Sequence, residues 1–78
     1  MTEQEFRLQA DRALEGVQRA LMSLPLRQRT AVVLRFYEDL DIGQTASTMR
    51  CSEGTVKALT SRGIARLRPL IGDISYDE

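Results

Sequence analysis

The stretch CSEGTVKALTSRGIARLR, residues 51–68, threads four cations and several hydroxyls around a thin apolar seam. Guanidinium, ammonium and hydroxyl groups at these positions are hydrogen-bond donors suited to oxyanions and to the acceptor edges of bases. Catalysis is a poor fit. The chain has no histidine, no acid pair in an apolar setting and no Gly-rich phosphate loop, so no nucleophile–base pair can be assembled. Cys51 is the single cysteine, which excludes an internal disulfide and, without histidine, a Cys/His zinc cluster. A small apolar residue in a turn is its plainer reading than a reactive thiol, and no cofactor is expected.

The elements that must position this stretch come from a chain of 78 residues, one domain near the lower limit for folding without staples. Hydrophobic residues make up 42% and aromatic residues 5%, so the core has to be aliphatic. No apolar run approaches the ~18 residues of a membrane helix, and no signal-peptide pattern is present. The expectation is a reduced, soluble, cytoplasmic protein with no membrane partner. Formal net charge is zero, but its distribution is not even. Residues 50–71 carry Arg50, Lys57, Arg62, Arg66 and Arg68 against Glu53 alone, whereas the tail carries Asp73, Asp77 and Glu78. Nucleic-acid binding needs a basic face rather than a basic average, though a solvated charged face fits charge alone equally well.

Apolar spacing predicts four helices. Phe6, Ala10, Ala13, Leu14, Val17 and Leu21 recur at three- and four-residue steps and predict a first helix over 3–23, softened at Gly16. Leu24-Pro25 marks a boundary, and a second helix is expected from Pro25 to Asp39 with Ala31, Leu34, Val32 and Val33 on its apolar side. Glu38 and Asp39 are unfavourable charges for a helix C-terminus, so turn chemistry or packing must stop it. Asp41 can cap a short third helix over 42–49 with Ile42, Ala46 and Met49 inward. Ser52 can cap a fourth, running to about Leu70, with Val56, Gly63, Ile64, Leu67 and Leu70 or Ile71 toward the core. Pro69 is expected to shorten it by a turn. The chain thus divides into a lead-in helix at 1–23, a domain at 24–71 and an acidic, frayed tail at 72–78. The fold class is all-α, a small four-helix domain whose last two helices form a helix-turn-helix.

In that motif the second helix lies in the major groove and offers its N-terminal residues to base edges. Thr55, Lys57, Ala58, Ser61 and Arg62 alternate with the core positions and are expected to face outward. Lys57 and Arg62 suit phosphates or guanine O6/N7; Thr55 and Ser61 suit phosphates or either base type. Gly54 would permit close backbone approach. Arg66 and Arg68, further along, read as a backbone-clamping rim or as solubilising charge.

Residues 24–68, from Leu24-Pro25 with Arg27, Arg29 and Leu34-Arg35 to Ser52-x-Gly54-Thr55-Val56-Lys57 and Ser61-Arg62, resemble region 4 of bacterial RNA polymerase sigma factors of the extracytoplasmic-function (ECF) group. The resemblance implies binding of double-stranded promoter DNA at the −35 element. It also implies docking on the β flap of the RNA polymerase core, and occlusion of either surface by an anti-sigma factor. Carried over by position, Ser52, Thr55, Lys57, Ala58, Ser61 and Arg62 form the DNA-facing side. Arg27, Arg29 and Arg35 stand where the family has basic residues that touch backbone or support the fold.

The chain departs from the pattern at Gln44, where many members have Glu, at Thr45, where Ile or Val is usual, and at Arg50, where Gly is frequent. Leu59 stands where a polar residue is common. It could meet a thymine methyl, form a partner interface or turn inward. Sigma activity also needs region 2, which 78 residues cannot hold, so the chain is read as one domain of a longer sigma factor. The alternatives are a stand-alone region-4-like or LuxR-type regulator, and a protein-interaction module that meets the β flap or an anti-sigma factor through Leu59.

Overall fold

Local capping chemistry sets most of the helix boundaries. The computed structural model describes residues 1–71, so the expected frayed tail lies outside the described residues. The first helix, α1 (Glu3–Met22), opens on a capping box: the Glu5 N–H donates to Thr2 Oγ1 at 3.2 Å and the Thr2 N–H to Glu5 Oε2 at 3.3 Å. Glu3 and Glu5 in its first turn and Arg19 in its last complement the helix dipole.

The second helix, α2 (Leu26–Phe36), ends three residues earlier than the spacing predicts. Turn chemistry causes this. The N–H groups of Tyr37 and Glu38 both donate to the Val33 carbonyl, which widens the last turn, and Asp39 takes a left-handed φ of 58°. The Leu40 N–H then closes on the Leu34 carbonyl at 3.0 Å. Aspartate is among the few residues that visit this conformation routinely.

In the third helix, α3 (Ile42–Met49), Asp41 caps as expected, and Gln44 completes a second capping box with bonds of 2.7 and 3.0 Å. Glutamine therefore does here what glutamate would do at that position. Thr45 is fully buried and satisfies its hydroxyl on the Asp41 carbonyl at 2.8 Å. Arg50 follows with φ 56° and ψ 49°. The N–H groups of Arg50 and Cys51 return to the Ser47 and Ala46 carbonyls, the Schellman pattern that glycine usually serves.

The fourth helix, α4 (Glu53–Ile71), packs against all three others, most extensively on α2. It is not shortened by Pro69, which lies inside it. The proline removes one donor to the Ala65 carbonyl, on an exposed face where water can replace it. The core joins Ala20, Leu24, Val32 and Leu67, flanked by Leu21 and Ile71, with Ala31, Ala46, Val56 and Ile64 also buried. Four residues of the periodic stripe that predicts α1 lie outside it. Phe6 and Leu14 are 60% and 56% exposed, and Ala10 and Ala13 are exposed too. Only the last two turns of α1 reach Leu67 and Ile71, so its first turns project past the body. Leu70 is exposed and Ile71 takes the inward place. The architecture is all-α, with no strand among the described residues, and α3–turn–α4 forms the helix-turn-helix.

Candidate nucleic-acid interface

The N-terminus of α4 is fixed by Ser52, whose Oγ accepts the Thr55 N–H at 3.1 Å and donates to Thr55 Oγ1 at 2.9 Å. That pair orders the first turn and leaves Ser52 exposed and Thr55 half-buried. Lys57, Ala58, Ser61 and Arg62 are all exposed, as the alternation with Val56, Thr60, Gly63 and Ile64 requires. A Cβ added to Gly54 would meet only Ser52 Oγ, at 3.9 Å, so no internal contact calls for glycine there. Leu59 is half-buried, neither in the core nor fully presented.

The three early arginines are placed differently from one another. Arg27 is exposed at the start of α2. Arg29 is turned onto the chain reversal before it: Nε donates to the Leu21 carbonyl at 3.1 Å and Nη2 to the Leu24 carbonyl at 3.3 Å. It thereby ties down the turn that follows α1, adding a donor at the Leu21 carbonyl, which also accepts the Leu24 N–H at 3.1 Å. Arg35 donates from Nη1 to the Leu40 carbonyl at 2.9 Å, which ties the α2–α3 connection.

Arg35 is also brought together with Lys57 and Ser61. All three line a cleft of about 330 Å³, with Ile42, Val56, Thr60, Ile64 and Arg68 completing its wall. Arg27 and Arg29 take no part in it. The sequence pattern assigns no role to Thr60 and reads Arg68 as rim or solubilising charge. A hydroxyl at a core step between Val56 and Ile64 was the visible signal for the former. No helix among the described residues is long and apolar enough to cross a membrane.

The arrangement offers cations and hydroxyls on the exposed face of the second helix of a helix-turn-helix, which is chemistry for oxyanions and base edges. The model of the sigma-70 region 4 family matches residues 14–67. The ECF RNA polymerase sigma factor SigM of Mycobacterium tuberculosis (strain H37Rv) is 48% identical over 57 residues, 73% of this chain and 29% of that protein. The RNA polymerase sigma-E factors of Streptomyces antibioticus and Streptomyces coelicolor are each 44% identical over 59 residues, 76% of this chain and 32% of theirs. The chain thus spans about a third of the length of these curated relatives. With the family model covering most of the four helices and the relatives agreeing on one class, the chain belongs to the sigma-70 region 4 family.

Proposed function

We propose that this chain is the −35-recognition domain of an ECF-type sigma factor, reading double-stranded promoter DNA through α4 and working in the cytoplasm. Residues 24–71 act as the region 4 unit and the first helix as its lead-in. The observation that carries this reading is the exposure of Lys57, Ala58, Ser61 and Arg62 on one side of the second helix of the helix-turn-helix, while Val56, Gly63, Ile64 and Leu67 hold the opposite side in the core. Ser52, Thr55, Lys57, Ala58, Ser61 and Arg62 form the contact face, supported by Arg35. In this reading the body of the domain docks on the β flap of RNA polymerase, and an anti-sigma factor binds by covering either surface. It is a binding module and performs no catalysis.

The experiment is selection of duplexes from a random pool at low salt by the purified chain. Enrichment of one short motif, relaxed in Arg62→Ala and with retention weakened in Lys57→Ala, is the expected result. Retention without enrichment, or unchanged selection in both variants, overturns the assignment of base recognition to α4.

A further inference from the structure

The cleft between the end of α2, the start of α3 and the middle of α4 carries more than the contact face requires. Its polar wall is made of Arg35, Lys57, Thr60, Ser61 and Arg68, and among the described residues no carboxylate lines it. Lys57, Ser61 and Arg68, at steps of four and seven, fall on one stripe of α4. Thr60 lies beside that stripe. It is only 5% exposed, and its Oγ1 is buried with no hydrogen-bond partner among the described residues. A buried hydroxyl without a partner is costly, and Thr45 of α3 shows how the same side chain is satisfied elsewhere in this fold. Threonine in a helix has two accessible χ1 wells. An oxyanion entering a cleft that Thr60 itself lines is an acceptor to which that hydroxyl can turn.

We propose that this cleft seats a backbone phosphate of duplex DNA, with Thr60 as its buried donor and Arg68 as its outer cation. The proposal rests on the DNA-binding reading above and adds two residues to it. Duplex backbone is favoured over a single carboxylate because the cations form a row rather than a point. Lys57 and Arg68 are eleven residues apart on α4, roughly 16 Å along its axis. Arg35, held by the Leu40 carbonyl, supports the row from the facing helix. Thr60 and Arg68 then fix register on the duplex without reading sequence.

The test measures affinity of the full chain for a short duplex carrying the selected motif and for a scrambled one, across a salt series. Thr60→Val keeps the shape and removes the hydroxyl, and is expected to weaken both duplexes equally, by about tenfold. Thr60→Ser keeps the hydroxyl and restores binding. Arg68→Ala is expected to weaken both and to reduce the slope of log affinity against log salt by about one. Neutral methylphosphonates placed one at a time should reveal one position that matters to the wild type and not to Thr60→Val.

If Lys57→Ala weakens binding while Thr60→Val and Arg68→Ala keep wild-type affinity and slope, the cleft assignment is overturned and the DNA reading stands. If inorganic phosphate or a polyglutamate peptide binds in a Thr60-dependent way that duplex does not share, the cleft belongs to a free anion or a protein carboxylate, and the proposal falls. A wild-type chain that retains no duplex at low salt overturns both readings. Should Thr60→Val fail to fold, Arg68→Ala, on an exposed side chain, decides the matter alone.

Discussion

A methyl group on Gly63 would stand 2.6 Å from Cγ2 of Val32, closer than two carbon atoms can lie. The bare backbone of α4 at Gly63 is therefore what lets α2 approach, and Val32 fills the space a side chain would take. Valine is stiff at χ1 and this one is buried, so it has little room to turn aside.

Gly63→Ala sets two effects against each other. Alanine favours the helix by up to ~1 kcal/mol. Prying α2 from α4 costs about 1–3 kcal/mol. The packing cost should win, with a net loss of about 1–2 kcal/mol and a midpoint lowered by roughly 5–10 °C in thermal denaturation. A stabilised variant would mean that the two helices separate freely.

Arg50 presents the opposite case, a side chain where the backbone favours none. Its φ of 56° costs an L-residue roughly 1–2 kcal/mol, and glycine is the usual occupant at this point of a Schellman motif. Arg50→Gly should raise stability by about 1 kcal/mol, seen as a higher urea midpoint with unchanged slope. Duplex binding should change little, since Arg50 is not among the cleft residues.

Arg29 and Arg27 are two positions apart and should behave differently. Removing the Arg29 guanidinium takes a donor from the Leu24 carbonyl and one from the Leu21 carbonyl, which keeps the Leu24 N–H, a loss of about 1–2 kcal/mol for half-buried, charge-assisted bonds. Arg27→Ala, on an exposed side chain, should stay within about 0.5 kcal/mol. Equal midpoints for the two variants would remove the structural role given to Arg29.

Leu14→Ser should leave stability nearly unchanged, whereas Leu24→Ala should cost about 2–5 kcal/mol. Both are leucines of the first third of the chain, yet one is 56% exposed and the other 3%. A large loss from Leu14→Ser would place the first turns of α1 against the body.

On the contact face, Arg62→Ala should cost about 1–3 kcal/mol of discrimination at one base pair if the guanidinium pairs with a base edge. Lys57→Ala should weaken all duplexes alike and flatten the salt dependence by about one. Competition binding with single-substituted duplexes separates the two outcomes.

What the sequence told of this fold follows the range of the interactions concerned. Asp41 and Ser52 were legible as caps because capping joins residues three apart. Thr2 uses the same chemistry, and its Thr-x-x-Glu pattern is an equally local signal. The end of α2 was misplaced because its stop lies in the left-handed Asp39, which composition does not mark. Phe6, Ala10, Ala13 and Leu14 have a correct helical period, but a period reports an amphipathic face and not whether anything covers it. On α4 the alternation separated exposed from buried residues well, since Val56, Gly63, Ile64 and Leu67 all reach the core. The convergence of Arg35 with Lys57, Ser61 and Arg68 depends on how α2 crosses α4, and the turning of Arg29 onto α1 on how the chain reverses at Pro25. Neither is written in local spacing.

The projecting part of α1 has a kinetic consequence. Residues 3–15 hold helical form without tertiary cover, and a free helix of that length is only marginally stable in water. Its stability is borrowed from the packed turns at Ala20 and Leu21, which nucleate it, and from the Thr2–Glu5 box, which resists fraying at the far end. Amide protons along α1 should therefore exchange on a gradient, fastest toward the N-terminal end of the uncovered segment and slowest beside Ala20 and Leu21, while those of α4 wait for the whole domain to open. One continuous rod of backbone thus spans two regimes of motion, and Gly16 sits where they meet.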